Sequence, residues 1–124
     1  MANELILIVE DNPKNLKLLR DTLQVKGYHT IETETGEEGV QLARERRPAL
    51  ILMDIQLPGM NGIEALGELR ADPMTRTIPV IAVTASVMAQ DRQRVMAAGF
   101  DGFQGKPISV RELLATVRGL LEKS

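Results

Sequence analysis

Three short stretches of this chain, Leu5–Val9, Leu50–Met53 and Val80–Val83, are apolar at every position rather than at every second one. A strand with one wet face alternates. A continuous apolar run of strand length is covered on both faces, and doubly covered sheets are those whose parallel strands are joined by crossover helices. The intervening segments have helical punctuation. Asn12-Pro13 offers an N-cap followed by a proline at the first helical position, Leu16, Leu19 and Leu23 recur at helical spacing, and Gly27 closes the segment. Tyr28–Glu34 is more polar and suits an edge strand. Thr35–Glu45 is expected to be a helix with Val40 and Ala43 inward and Arg44, Arg46 and Arg47 near its C-terminal end, stopped by Pro48.

The second half repeats the pattern. Ile63–Leu69 forms a third helix, Asp72–Pro79 a loop, Ala85–Ala98 a fourth helix closed by Gly99, Gly102–Gly105 a short strand, and Val110–Leu121 a last helix with Leu113, Leu114, Val117 and Leu121 on its apolar face. Five strands alternating with five helices predict an α/β fold, a doubly wound parallel sheet with helices on both faces. The most apolar strands belong at the centre, which selects the order 2-1-3-4-5 and puts the switch point between the first and third strands. At 124 residues the chain is expected to be a single domain spanning 1–124 with no output domain.

Several function classes lose support on composition. With no cysteine there is neither a disulfide nor a thiolate metal site. A net charge of −2 gives no electrostatic case for nucleic acid or membrane, no apolar run reaches the roughly 20 residues of a membrane span, and the N-terminus has no signal pattern, so a cytoplasmic protein is expected. One Tyr, two Phe and no Trp count against stacking a flavin or nucleobases, and so against a flavodoxin-like electron carrier.

Four of the five expected strands end on a polar group at one rim: Glu10-Asp11, Asp54, Thr84 and Lys106. In open parallel sheets ligands gather at that rim. Taken singly, each has an ordinary explanation as a cap, a turn residue or a solvated charge. Taken together they make a site. Three carboxylates held close repel one another unless a cation neutralises them. Magnesium, with manganese as a substitute, fits such an oxygen set, because it takes one or two carboxylates, keeps waters and completes its shell with phosphate oxygens. The backbone carbonyl of Gln56 is a further candidate ligand. Lys106 adds a mobile positive charge and Thr84 a hydroxyl donor. Carboxylate, metal, lysine and hydroxyl together suit phosphoryl transfer onto Asp54. An aspartyl-nucleophile phosphatase would carry a second acid two residues after the first, where this chain has Gln56.

From about Leu5 to Leu121 the chain resembles a response-regulator receiver domain of two-component signalling, the CheY-like branch of this fold. The resemblance rests on Leu7-Ile8-Val9-Glu10-Asp11-Asn12, on Leu52 to Gly62, on Val83-Thr84-Ala85 and on Gly105-Lys106-Pro107. It implies that Asp54 accepts a phosphoryl group from a partner's phosphohistidine, that Asp11 and Asp54 bind magnesium directly, and that Glu10 helps through water. Thr84 and Lys106 would then grip the phosphoryl group, and Phe103 falls on the aromatic switch position, where tyrosine is frequent.

The opening Glu10–Asn15 resembles receivers of hybrid kinases and stand-alone regulators of the DivK type. With so little chain after the fifth helix, a stand-alone phospho-acceptor is expected, a monomer or weak dimer. Such a protein catalyses its own phosphorylation and dephosphorylation but is not a conventional enzyme. Its partners would be a histidine kinase or histidine phosphotransferase, contacted through Lys14, Asn15, Leu18 and Ile108, and a downstream protein reached by the surface of the fourth helix, fifth strand and fifth helix. Gln56 and Ser86 flank the site and are expected to tune the phosphate lifetime. A receiver-fold binding module that works without phosphorylation is the rival reading. His29, in a polar strand, is read as neither phosphate donor nor metal ligand.

Overall fold

The computed structural model describes residues 4–85 and 89–123. Within them ten elements alternate: β1 (Leu5–Val9), α1 (Pro13–Val25), β2 (His29–Thr33), α2 (Gly36–Arg46), β3 (Leu50–Asp54), α3 (Gly62–Ala71), β4 (Val80–Thr84), α4 (Ala89–Ala97), β5 (Gly102–Gly105) and α5 (Val110–Lys123). All pairings are parallel and the order is β2-β1-β3-β4-β5, as expected from the apolar character of β1, β3 and β4.

Because successive strand residues point to opposite faces, an all-apolar strand feeds two cores at once. Leu7, Val9, Ile51, Met53 and Ala82 pack with Val40, Leu66, Leu69 and Val95 of α2, α3 and α4. Ile6, Ile8, Leu52, Ile81 and Val83 pack with Leu19, Leu23, Leu113 and Val117 of α1 and α5. At roughly 1.5–3 kcal/mol for each large aliphatic side chain buried, these two layers provide the main drive for folding and fix the strand register.

Boundaries differ from the sequence expectation where long-range pairing extends an element. β3 and β4 each take in one polar residue, Asp54 and Thr84, because the ladder continues: Asp54 is in register with Val83, Ile55 N–H donates to Val83 C=O at 3.0 Å, and Thr84 is in register with Gly105. α3 begins at Gly62 because Asn61 and Glu64 form a reciprocal capping box. The fourth helix was expected from Ala85. It is seen from Ala89, and Ser86 lies outside the described residues.

Two backbone features hold the loop that follows β3. Gly59 has φ +69°, a left-handed conformation that suits glycine. A Cβ on Gly62 would lie 2.5 Å from the Asp54 carbonyl oxygen, so only glycine lets α3 start against the end of β3. At the opposite end of the sheet, Arg70 of α3 ties the chain together. Its guanidinium donates to the carbonyls of Arg76, Ile78 and Gly99 and to Asp101 Oδ2 at 2.7 Å, and the same oxygen accepts from Val80 N–H.

Candidate functional site

β1, β3, β4 and β5 end at one rim, and the residue that ends or follows each brings a polar group there. Asp54 closes β3 and is only 2% exposed. Its Oδ2 accepts from Lys106 Nζ at 3.0 Å and its Oδ1 from Gln56 N–H at 2.9 Å. Glu10, next after β1, is fully buried. Its Oε2 accepts from Asn12 N–H at 3.1 Å and from Lys106 Nζ at 3.4 Å. Its Oε1 lies 3.2 Å from the same ammonium, but off hydrogen-bonding angle, and is left as a buried oxygen with no hydrogen-bond partner. Asp11 is exposed beside them, and one carboxylate oxygen from each of Glu10, Asp11 and Asp54 lies within 4.8 Å of the others.

Remote segments are held in place by backbone bonds. Glu10 N–H donates to Thr33 C=O at 3.0 Å, and Lys106 N–H to Thr84 C=O at 2.8 Å. The Lys106-Pro107 peptide is cis.

Charge is not balanced at this rim. One ammonium faces two buried carboxylates and a third exposed one. Burial is the main reason the Glu10 carboxyl is pushed up to about 7, reinforced by a hydrogen bond with Asp54 and by the Asp54 charge, while the Asn12 N–H and Lys106 pull the other way. For Lys106, burial alone would lower the pKa. The hydrogen bond to Asp54 and the charges of Asp54 and Glu10 outweigh it and hold the ammonium above its ordinary value.

The donor set is all hard oxygen, it carries surplus negative charge, and it includes one buried oxygen without a hydrogen-bond partner. Those are the properties of a cavity that a small hard dication would complete.

The other expected site residues divide by position. Thr84 is buried at the end of β4, on the rim and one strand from Asp54. Phe103, in register with Ala82, points to the same sheet face as Thr84, and Gly105, which faces Thr84, puts no side chain between them. The Phe103 ring is half-buried and packs on the α2–α3–α4 side. Gln56 is exposed and is brought to Asp54 through its N–H. Lys14 and Asn15 donate their backbone N–H groups to the Asn12 cap, Leu18 is 37% exposed, and Ile108 packs partly into the core under α1 and α5. His29 is exposed on β2, the edge strand.

One contact had no signal in the sequence. The Arg92 guanidinium of α4 sits over the Phe103 ring, with Cζ 5.0 Å from the centroid. Nothing short of the α4–β5 packing brings those positions together.

Comparison with known proteins agrees with this geometry. Residues 6–118 match the response regulator receiver domain family model. The chain is 48% identical over 116 residues to the polar-differentiation response regulator DivK of Brucella anthropi, covering 94% of each chain, and 47% identical over the same length to DivK of Brucella ovis. Among solved structures it resembles the receiver domain of a sensor histidine kinase of Pseudomonas aeruginosa, which was crystallised with a magnesium ion in its active-site cleft. That match has a TM-score of 0.90 and 34% identity, and covers 98% of this chain and 99% of the other. A Vibrio cholerae chemotaxis response regulator superposes with a TM-score of 0.88 at 26% identity, over 96% of this chain and 99% of its own. On its sequence, its strand order and its acidic rim alike, this chain belongs to the response regulator receiver domains of two-component systems.

Proposed function

We propose that Asp54 is the phosphoryl acceptor of a stand-alone, cytoplasmic response regulator, and that the chain catalyses its own phosphorylation and dephosphorylation. The observation that carries this reading is the 3.0 Å contact between Lys106 Nζ and Asp54 Oδ2 within the cluster formed by Glu10, Asp11 and Asp54. In the reaction a carboxylate oxygen of Asp54 attacks the phosphorus of a partner's phosphohistidine, the P–N bond breaks and its electron pair leaves with the imidazole. In dephosphorylation, a separate step, water attacks the same phosphorus, the bond from phosphorus to the Asp54 oxygen breaks, the carboxylate leaves with its electron pair and inorganic phosphate is released.

Lys106 pairs first with the carboxylate and then with a phosphoryl oxygen, and Thr84 donates its hydroxyl to another. Asp11 and Asp54, with the Gln56 carbonyl and with Glu10 through water, are the residues that would hold magnesium, or manganese in its place. The bound metal supplies charge neutralisation at the phosphoryl oxygens. Gln56, next to Asp54, would influence how long the phosphate persists.

The histidine donor comes from a kinase or phosphotransferase that docks over α1 near the acidic mouth, against Lys14, Asn15 and the exposed Leu18, with Ile108 alongside. Phosphorylation draws Thr84 inward, and Phe103 turns into the space it vacates, past the small residues Ala82 and Gly105 that are in register with Phe103 and Thr84. The surface of α4, β5 and α5 then presents a different face to a downstream protein. Taking such a switch from almost all off to almost all on needs roughly 5 kcal/mol of preference.

Acetyl phosphate with magnesium is expected to add one phosphoryl group to the intact mass, and Asp54→Asn to remove that addition completely. A protein that gains no mass would return the chain to a binding module that works unphosphorylated, and an Asp54→Asn variant that still gains it would move the acceptor to another residue. Leu18→Ala is expected to slow transfer from the cognate phosphohistidine about tenfold while leaving acetyl phosphate labelling unchanged. Equal transfer rates would remove α1 from the docking surface.

A further inference from the structure

We propose that Arg92 is a positioning residue for the switch: its guanidinium, stacked on the Phe103 ring, holds that ring in the cleft between α4 and α5 and thereby sets how much phosphorylation is needed to move it. This rests on the reading of Phe103 as the moving side chain and names what opposes the movement.

The contact is specific. At 5.0 Å from the centroid, Arg92 Cζ is within the range at which a cation is attracted to the negative face of an aromatic ring. Arg92 and Phe103 line one cleft of about 410 Å³, with Glu112 and Thr116 of α5 among its other lining residues. Among the described residues no carboxylate lies within ion-pair distance of the Arg92 guanidinium, whereas its neighbour Arg94 faces Asp91 at 3.9 Å. The ring is therefore the partner Arg92 has. It is a partner only while Phe103 stays in the cleft, since turning toward Thr84 carries the ring's face away from α4.

An interaction made in one of two states biases the equilibrium by its full value, and linkage makes the bias reciprocal. A cation–π contact at an exposed site is worth about a two- to fivefold preference. Arg92 thus trims the switch rather than locking it. Removing it enlarges the population with Phe103 turned inward, and raises affinity for anything that favours that state by the same factor.

The test uses the full chain labelled with 4-fluorophenylalanine. Fluorine NMR then gives one signal from Phe103 and one from the core residue Phe100, which serves as an internal reference. Beryllofluoride with magnesium stands in for the phosphoryl group. Arg92→Ala is expected to move the Phe103 signal toward its beryllofluoride position before any beryllofluoride is added, and to tighten beryllofluoride binding about two- to fivefold. Arg92→Lys, which keeps a cation, should restore part of both effects. In a Phe103→Leu background Arg92→Ala should no longer change the affinity.

A Phe103 signal that responds to beryllofluoride but not to Arg92→Ala overturns this proposal and leaves the switch standing. An affinity change that persists without the ring overturns it too, because Arg92 would then be acting through its charge alone. A Phe103 signal indifferent to beryllofluoride in the unsubstituted chain overturns the switch, and this proposal with it.

Discussion

Two of the joints in which a cation meets carboxylate lie at opposite ends of the same sheet, and they are built on opposite principles. At the N-terminal end of β4 and β5, Arg70 meets Asp101 at 2.7 Å. The rest of its planar fork is satisfied by the carbonyls of Arg76, Ile78 and Gly99, and Val80 N–H completes the aspartate. One positive charge meets one negative charge with hydrogen bonds to spare. At the C-terminal rim a single flexible ammonium, Lys106, is shared by Asp54 and Glu10 with Asp11 close by, and one buried Glu10 oxygen has no hydrogen bond. A matched joint has nothing left to offer a ligand and serves the fold. A joint left short of positive charge is held together by the packing around it, and it keeps a standing affinity for whatever brings cations or takes up negative charge.

Removing the cation from the matched joint should therefore cost the most stability and the least chemistry. Arg70→Ala strands three carbonyls and a carboxylate. Because the pair is partly exposed, water recovers some of the loss, which leaves about 2–3 kcal/mol. For a chain of this size that is a fall in Tm of roughly 5–10 °C. Acetyl phosphate labelling of Asp54, measured well below the new Tm, should be unchanged. A fall below about 2 °C would mean that the lower joint does not fasten α3 to the β4–β5 edge. Slower labelling at low temperature would mean that the two ends of the sheet are not independent.

The difference between the joints also explains what could be read from the chain itself. The rim was legible because Glu10, Asp54 and Thr84 each follow an apolar run directly and Lys106 follows the short Gly102–Gly105 strand, so the sheet order alone brings the four to one edge. The Arg70–Asp101 joint had no such marker. Arg70 sits on a helix surface and Asp101 in a turn, 31 positions apart, and only the packing of α3 beside β4 joins them. Arg92 and Phe103 escaped for the same reason. The apolar runs stop one residue short of the true strand ends at Asp54 and Thr84, because pairing with a neighbouring strand, which propensity does not see, carries the ladder through a polar residue. Asn61 looks like a turn residue in the sequence yet also caps α3, since Asn-Gly serves either purpose until Glu64 is seen to close the box.

The charge deficit at the rim has a smaller signature that reports it directly. Glu10 titrates near 4.5 when unfolded and about 7 when folded. Between those values the folded, metal-free chain holds a proton that the unfolded chain has released, so stability falls as pH rises from 4.5 to 7 and then levels. Asp21 and Asp72, held below 3.8 by hydrogen bonds from Lys17 and from the Met74 N–H, act below this window, and Lys106, held above 10.5, acts beyond it. Magnesium competes with the Glu10 proton. The stabilisation it gives should therefore be small near pH 5 and should grow as pH passes 7. Glu10→Gln keeps the side chain's shape and removes the charge. The metal-free variant should have a flat Tm across this window and, above pH 7, melt roughly 3–5 °C higher than the unsubstituted chain, with a reduced response to magnesium. A metal-free Tm that instead rises between pH 4.5 and 7 would mean that Lys106 already satisfies both buried carboxylates, and that the rim is as well matched as the joint at the other end.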